Sequence, residues 1–184
     1  MYFETDGPCG VTAGIDLVNT HPCIAGTDGI KDVSSLSAFL LKHQMAASQP
    51  SPKDVEQVTD LRTELLNILE EKNLEKAACS LNQIVREAGA YPHMARHGGM
   101  PCHMDWQPKG ACAATHISAQ VCVALMDHLC RNGYVRLRVC SGENCGKFFV
   151  DLTKNNKKRF CDNKTCGNRM HVAAYRARQA APKG

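Results

Sequence analysis

Hydrophobic positions along the chain fall into four helical stripes and one alternating run. Val33, Leu36, Phe39 and Leu40 recur at helical spacing and predict a first short helix. Ahead of them the chain opens with punctuating glycines, and GIDLVNT, residues 14–20, reads as a short apolar run closed by turn formers. The next start signal is explicit: Ser51 can cap, Pro52 suits the first helical position and Asp54 completes a capping box. Behind it Val55, Val58, Leu61, Leu65 and Leu69 form one stripe, with Glu56, Asp60, Arg62 and Glu70 outside it. A third helix is expected over 74–88, burying Leu74, Ala78, Leu81 and Val85 and stopping near Gly89. The fourth, about 115–131, is apolar on most sides, so it is expected at the centre of the first module. Asn132-Gly133 ends it, and YVRLRV predicts a strand leading into a second module.

Residues 90–112 between the third and fourth helices are rich in turn formers and read as a loop with a short hairpin. His93, His97, Cys102, His103, Cys112 and His116 crowd this region. Pro92 before and Gly98-Gly99 after the first two histidines break the rigid helical bite a metal would need, so an ordinary polar loop is expected there rather than a second metal site. Cys79, Cys122 and Cys130 fall on helices and read as small core residues.

Charge divides the chain more sharply than its overall +4 suggests. From residue 131 onward there are 13 Lys and Arg against Glu143, Asp151 and Asp162, whereas the first 130 residues carry a net −6. Such asymmetry predicts two modules, 1–134 and 135–184, the second built to meet an anion. A hydrophobic content of 43% excludes wholesale disorder. No stretch is long and apolar enough to suggest a bilayer span, and the opening residues do not resemble a secretory signal. A cytoplasmic protein without membrane contact is expected.

Eleven cysteines in such a chain call for a different account. An odd number in a cytosolic setting argues against a disulfide framework and leaves core packing or metal ligation. Cys140, Cys145, Cys161 and Cys166 follow the pattern C-x4-C-x15-C-x4-C within a polar, lysine-rich segment that makes poor core. Two thiol pairs at this separation suit one tetrahedral ion, and hairpin-and-helix surroundings favour Zn²⁺ over an iron–sulfur cluster. Residues 147–150 and 158–160 are expected to pair as the two arms of a hairpin around the polar turn DLTKNN. Helix is expected from Cys166 to about Gln179, so the outline is treble-clef-like: a knuckle, a hairpin and a helix opening on the last ligand. Gly146 and Gly167, next to ligands, are expected to let backbone N–H groups approach the sulfurs. Lys147, Arg159, Lys164 and Arg169 are placed to offset the −2 charge of a four-thiolate zinc site.

Cys166-Gly167-Asn168-Arg169 reads CGNR, and the stretch from Arg136 to Arg178 resembles the CGNR zinc-finger family. The likeness extends to Phe149-Val150-Asp151 after the second cysteine and to the ending YRAR at 175–178. IDLVNT, residues 15–20, resembles the opening motif of the ABATE domain, which this finger follows in that family. The resemblance implies an α+β protein: a mostly helical N-terminal domain with a few short strands, then the small zinc finger. It also implies a bacterial transcriptional regulator, with stress-related members.

Lys154, Lys157, Lys158 and Arg159 crowd the predicted hairpin tip, and Arg169, Arg176 and Arg178 lie on the following helix. These seven residues are the candidates for following the phosphates of double-stranded DNA. Their plainer reading is a solvated basic face that partly offsets the thiolates. The acidic helical module would then sense or dimerise, with a homodimer and a small-molecule effector as its candidate partners. No phosphate-cradling glycine loop, zinc-protease helix or nucleophile elbow is present, so a non-enzymatic role is expected. The alternative is a small-molecule-binding or protein-interaction module whose zinc site is purely structural. Asp16 and Asn19 within IDLVNT are read as turn-closing or capping residues.

Overall fold

The computed structural model describes residues 7–45, 49–96 and 102–180. Its elements in chain order are α1 (Gly7–Val18), α2 (Pro22–Ala25), α3 (Val33–Lys42), α4 (Pro52–Glu71), α5 (Leu74–Glu87), β1 (His93–Ala95), β2 (His103–Asp105), α6 (Ala113–Asn132), β3 (Leu137–Val139), β4 (Phe148–Val150), a π-helical turn (Asn163–Gly167) and α7 (Asn168–Ala180). The strands make two separate antiparallel pairs, β1 with β2 and β3 with β4. The fold is α+β and predominantly helical, with the four cysteines gathered in its C-terminal part.

Helix α6 is the axis of the core and packs against α1, α4 and α5. Ile117, Val121, Cys122, Leu125 and Leu129 are all buried on it, as its continuous apolar character predicts. The α1 crossing is close because α1 presents glycines. A Cβ at Gly10 would lie 2.6 Å from Ala124 Cβ, and one at Gly14 2.6 Å from Val121 Cγ1. The expectation for this segment is corrected here: GIDLV is the second half of a helix rather than a loose apolar run. Val11, Ala13, Ile15, Leu17 and Val18 are all buried, so tertiary packing holds a helix that its glycines disfavour.

Helix α4 begins as its sequence specifies. Ser51 and Asp54 form the reciprocal capping box, with Pro52 in the first turn. The second oxygen of Asp54 accepts from the Ala114 amide at 2.9 Å, so one carboxylate closes the starts of α4 and α6 together. Asp54 is buried, which alone would raise its pKa, but the bonds from Ser51 and Ala114 outweigh this and hold it down to about 2.

Arg62 is not on the solvent side of α4 as expected but is 3% exposed. Its guanidinium grips Asp28 through two bonds of 2.6 and 2.9 Å and also reaches Thr20 O and Oγ1 at 3.2 Å. Those bonds offset its desolvation and tie the segment after α1 to α4. On α5 Leu81 is buried and Val85 half-buried against the core as expected, but Ala77 rather than Ala78 is buried and Leu74 is 52% exposed. Cys122 is a core residue, but Cys79 and Cys130 are exposed.

The C-terminal strands join the helical core rather than standing apart from it. Leu137, Phe148 and Val150 belong to the main apolar cluster, whereas Phe149, on the opposite face of β4, packs with Cys140 and Cys166. Period-two alternation thus gives β4 one face toward the helices and one toward the cysteines. The predicted hairpin is also corrected. Residues 148–150 pair with 137–139, not with 158–160, in the register Leu137↔Val150 and Val139↔Phe148. Residues 158–160 instead stay irregular, with Arg159 O accepting from the Ser141 amide at 2.9 Å.

Candidate metal centre and basic loop

Cys140 follows β3 directly, Cys145 ends the same knuckle, Cys161 lies in the returning segment and Cys166 in the π-helical turn before α7. Their sulfurs lie within 4.8 Å of one another. Cys145–Cys161, Cys145–Cys166 and Cys161–Cys166 are separated by 3.7, 3.6 and 3.8 Å. A tetrahedron with Zn–S bonds of about 2.3 Å has sulfur–sulfur edges of about 3.8 Å. Disulfides, with S–S near 2.05 Å, do not fit these spacings. Donor type, number and spacing therefore suit one zinc ion held by four cysteines. Among the described residues this is the one cluster of three or more such ligands; His93, Cys102, Cys112 and His116 join no other. His97 lies outside the described residues.

The sulfurs are surrounded by donors. Cys140 Sγ accepts from the amides of Gly142 at 3.4 Å and Cys161 at 3.3 Å. Arg169 Nη2 reaches Cys166 Sγ at 3.5 Å, and that contact leads the effects that pull the Cys166 thiol down to about 7. Burial pushes Cys145 and Cys161 upward, a cost that a bound cation reverses. The glycine that matters most for close approach is Gly142, which sequence reading passed over. A Cβ there would stand 3.1 Å from Cys166 Cβ and 3.3 Å from two sulfurs. Gly146 serves the knuckle through its positive φ of 64°, and a Cβ at Gly167 would meet only ordinary contacts.

Beside the centre runs a basic loop built on a buried carboxylate. Asp151 is fully buried and accepts from the amides of Thr153 at 3.0 Å and Lys158 at 2.8 Å, with Arg138 Nε 3.8 Å away. Desolvation would raise its pKa, yet these bonds hold it below the ordinary carboxylate value. Arg136 donates to the carbonyls of Asp151 and Thr153 at 2.8 and 3.0 Å, and Arg138 to Asn156 and Lys158 at 2.7 and 3.3 Å. The two arginines are thus occupied inside the loop. Lys154, Lys157 and Arg159 stand exposed on it, and Lys158 is half-buried with its Nζ 5.3 Å from the Phe149 ring centre. Arg169 faces the cysteines, while Arg176 and Arg178 are exposed on α7. Asn168, read as a local backbone binder, donates to Lys164 O at 3.0 Å.

The IDLVNT residues have partners that sequence reading missed. Asp16 pairs with Lys42 at 2.7 Å and His43 at 3.3 Å. Asn19 donates from Nδ2 to Phe148 O and accepts from Phe148 N–H, both at 2.9 Å, across 129 residues of sequence. In the β3–β4 ladder the Cys140 amide donates to Lys147 O and the Asp151 amide to Arg136 O. By antiparallel alternation the polar groups of Phe148 then point away from β3, and Asn19 takes the place of a third strand.

A helical module fused to a four-cysteine finger is a zinc-finger architecture, and the comparisons place it in a family. Residues 136–179 match the CGNR zinc finger. Residues 12–132 match ABATE, a family described as "Putative stress-induced transcription regulator". The chain belongs to the ABATE family and carries a C-terminal CGNR zinc finger, an arrangement pointing to a regulatory protein rather than an enzyme. No curated protein matches the sequence significantly. Among the described residues no helix is long and apolar enough to cross a membrane.

Proposed function

We propose that this protein is a DNA-binding transcriptional regulator. In this reading residues 135–184 form the DNA-binding module, and residues 1–134 form a sensing or dimerising one. The observation that carries the reading is the loop around Asp151. Its backbone is tied from beneath by Arg136, Arg138 and Asp151, while Lys154, Lys157 and Arg159 project outward. A preorganised loop displaying several cations loses little entropy on meeting a phosphate backbone, and released counterions supply the driving force. Zinc, held by Cys140, Cys145, Cys161 and Cys166, contributes structure: it joins the knuckle, the loop's return and the start of α7. Lys158, Arg169, Arg176 and Arg178 add further positive charge to this module.

The test is a salt titration on duplex DNA. Affinity should fall steeply with added salt, and combined Lys157→Ala, Lys158→Ala and Arg159→Ala substitution should reduce the log–log slope by about 2 to 3. Unchanged retention of this variant on DNA would overturn the reading. One observation favours the second reading, a small-molecule-binding protein with a structural finger. A cleft of about 420 Å³ opens between α4, α5 and α6, with Leu61 and Ile84 in its wall and Asp60 and Glu64 at its rim. A ligand-induced rise in Tm without any DNA binding would support that role instead.

A further inference from the structure

Helix α7 is anomalous in its surroundings. Its packing is against the π-helical turn that precedes it, with no comparable contact to another element among the described residues. From His171 onward its described side chains are exposed, including Val172 at 48% and Tyr175 at 57%. An isolated helix of this length is marginal in water because nucleation is costly and tertiary packing normally supplies the stability. The metal centre solves the first problem only. Cys166 and the Asn168 bond to Lys164 O fix the opening turn, leaving the later turns without support.

The sequence of α7, NRMHVAAYRARQA, contains three arginines and no acid. At 100° per residue, Val172, Tyr175, Arg176 and Gln179 share one face, being i, i+3, i+4 and i+7. Contacts to the finger are confined to the first turn, through Arg169 to Cys166 Sγ at 3.5 Å, half-buried Met170, and His171 edge-on to the Phe160 ring at 6.2 Å, so from Val172 outward this face is free. This face combines a small aliphatic group, a tyrosine, a guanidinium and a carboxamide.

We infer that this face of α7 enters the major groove of duplex DNA and reads base edges, while the loop at 153–159 holds the flanking phosphates. The inference rests on the DNA-binding reading above and adds sequence discrimination to it. The groove, about 12 Å wide, admits an α-helix. Arginine and carboxamide side chains match guanine and adenine edges bidentately, and an aliphatic group suits the thymine methyl. A helix free of acids carries no charge that the flanking phosphates would repel. Groove contacts also provide the packing that the outer turns of α7 lack, so these turns gain order on binding.

The experiment selects preferred duplexes from a randomised pool with the zinc-loaded full chain, then compares variants on the selected and a scrambled duplex. Arg176→Ala and Gln179→Ala, which preserve helix propensity, should each lower the preference for the selected duplex roughly 10-fold or more. The Lys157/Lys158/Arg159 alanine variant should weaken both duplexes equally and keep the preference. Amide exchange at 172–179 should slow when the selected duplex is added. Wild-type binding without sequence preference would overturn the inference alone, as would full preference in the α7 variants. Self-association without DNA that Tyr175→Ala abolishes would also overturn it, assigning the face to a second copy. Failure of the wild type to bind any duplex would remove the DNA reading and this inference together.

Discussion

Asn19→Ala isolates the contact between the N-terminal helices and the finger. The substitution removes both 2.9 Å bonds to Phe148 and leaves an amide and a carbonyl without partners on the edge of β4. An unsatisfied buried polar group costs about 1–3 kcal/mol; since this site is only partly buried, the low end applies and the pair together costs about 2 kcal/mol. With a urea m-value of about 2 kcal/mol/M, the unfolding midpoint of the zinc-loaded protein should fall by about 1 M. Asn19→Asp sharpens the test. The carboxylate still accepts from Phe148 N–H but sets a negative oxygen against Phe148 O, so the loss should equal or exceed that of alanine. Phe148 lies three residues beyond Cys145, so zinc release to a chelator should also quicken severalfold in both variants. Midpoints within about 0.2 M of wild type for both would refute the reasoning, because water would then be replacing the carboxamide at no cost.

Three further outcomes follow from the packing and the charges. Asp54 has a folded-state pKa of about 2 against an ordinary 3.8, so its contribution is present above about pH 4 and is lost as pH falls through 2; Asp54→Ala should remove that acid-dependent step from a pH titration of stability. Gly142→Ala should weaken zinc binding in a competition with a chromogenic chelator, because its Cβ would crowd Cys166 and two sulfurs at 3.1–3.3 Å. Gly14→Val should lower Tm by several degrees, since even a Cβ there meets Val121 Cγ1 at 2.6 Å and α1 must move off α6.

Much of this architecture is written in local patterns. The capping box at Ser51 and Asp54, the all-round apolar α6 and the four-cysteine spacing each carry their meaning within a few residues or a fixed repeat. The metal centre was legible because thiol pairs in a lysine-rich stretch have few other uses. What escaped reading depends on partners far along the chain. The helix α1 carries Gly7, Gly10 and Gly14, which argue for a turn until the closeness of α6 is known. Arg62 reads as a surface charge because its partners, Thr20 and Asp28, precede it by 42 and 34 residues. The strand pairing is hidden for a related reason: Lys158-Arg159-Phe160 resembles a returning arm locally, but Asp151 and Arg138 hold that segment as a loop, and β3 supplies the ladder. Asn19 offered no signal at all beyond its place in IDLVNT, since a carboxamide standing in for a strand leaves no periodicity.

The inward face of β3 and β4 bears on how this finger can be used as a reagent. Leu137, Phe148 and Val150 form part of the same apolar cluster as Val18 and Leu129. Expressed alone, residues 136–179 would carry those three side chains into water and tend to self-adhere even when fully metallated. Grafting the finger onto a foreign carrier would therefore require repainting that surface with polar residues, or transplanting α1 along with it.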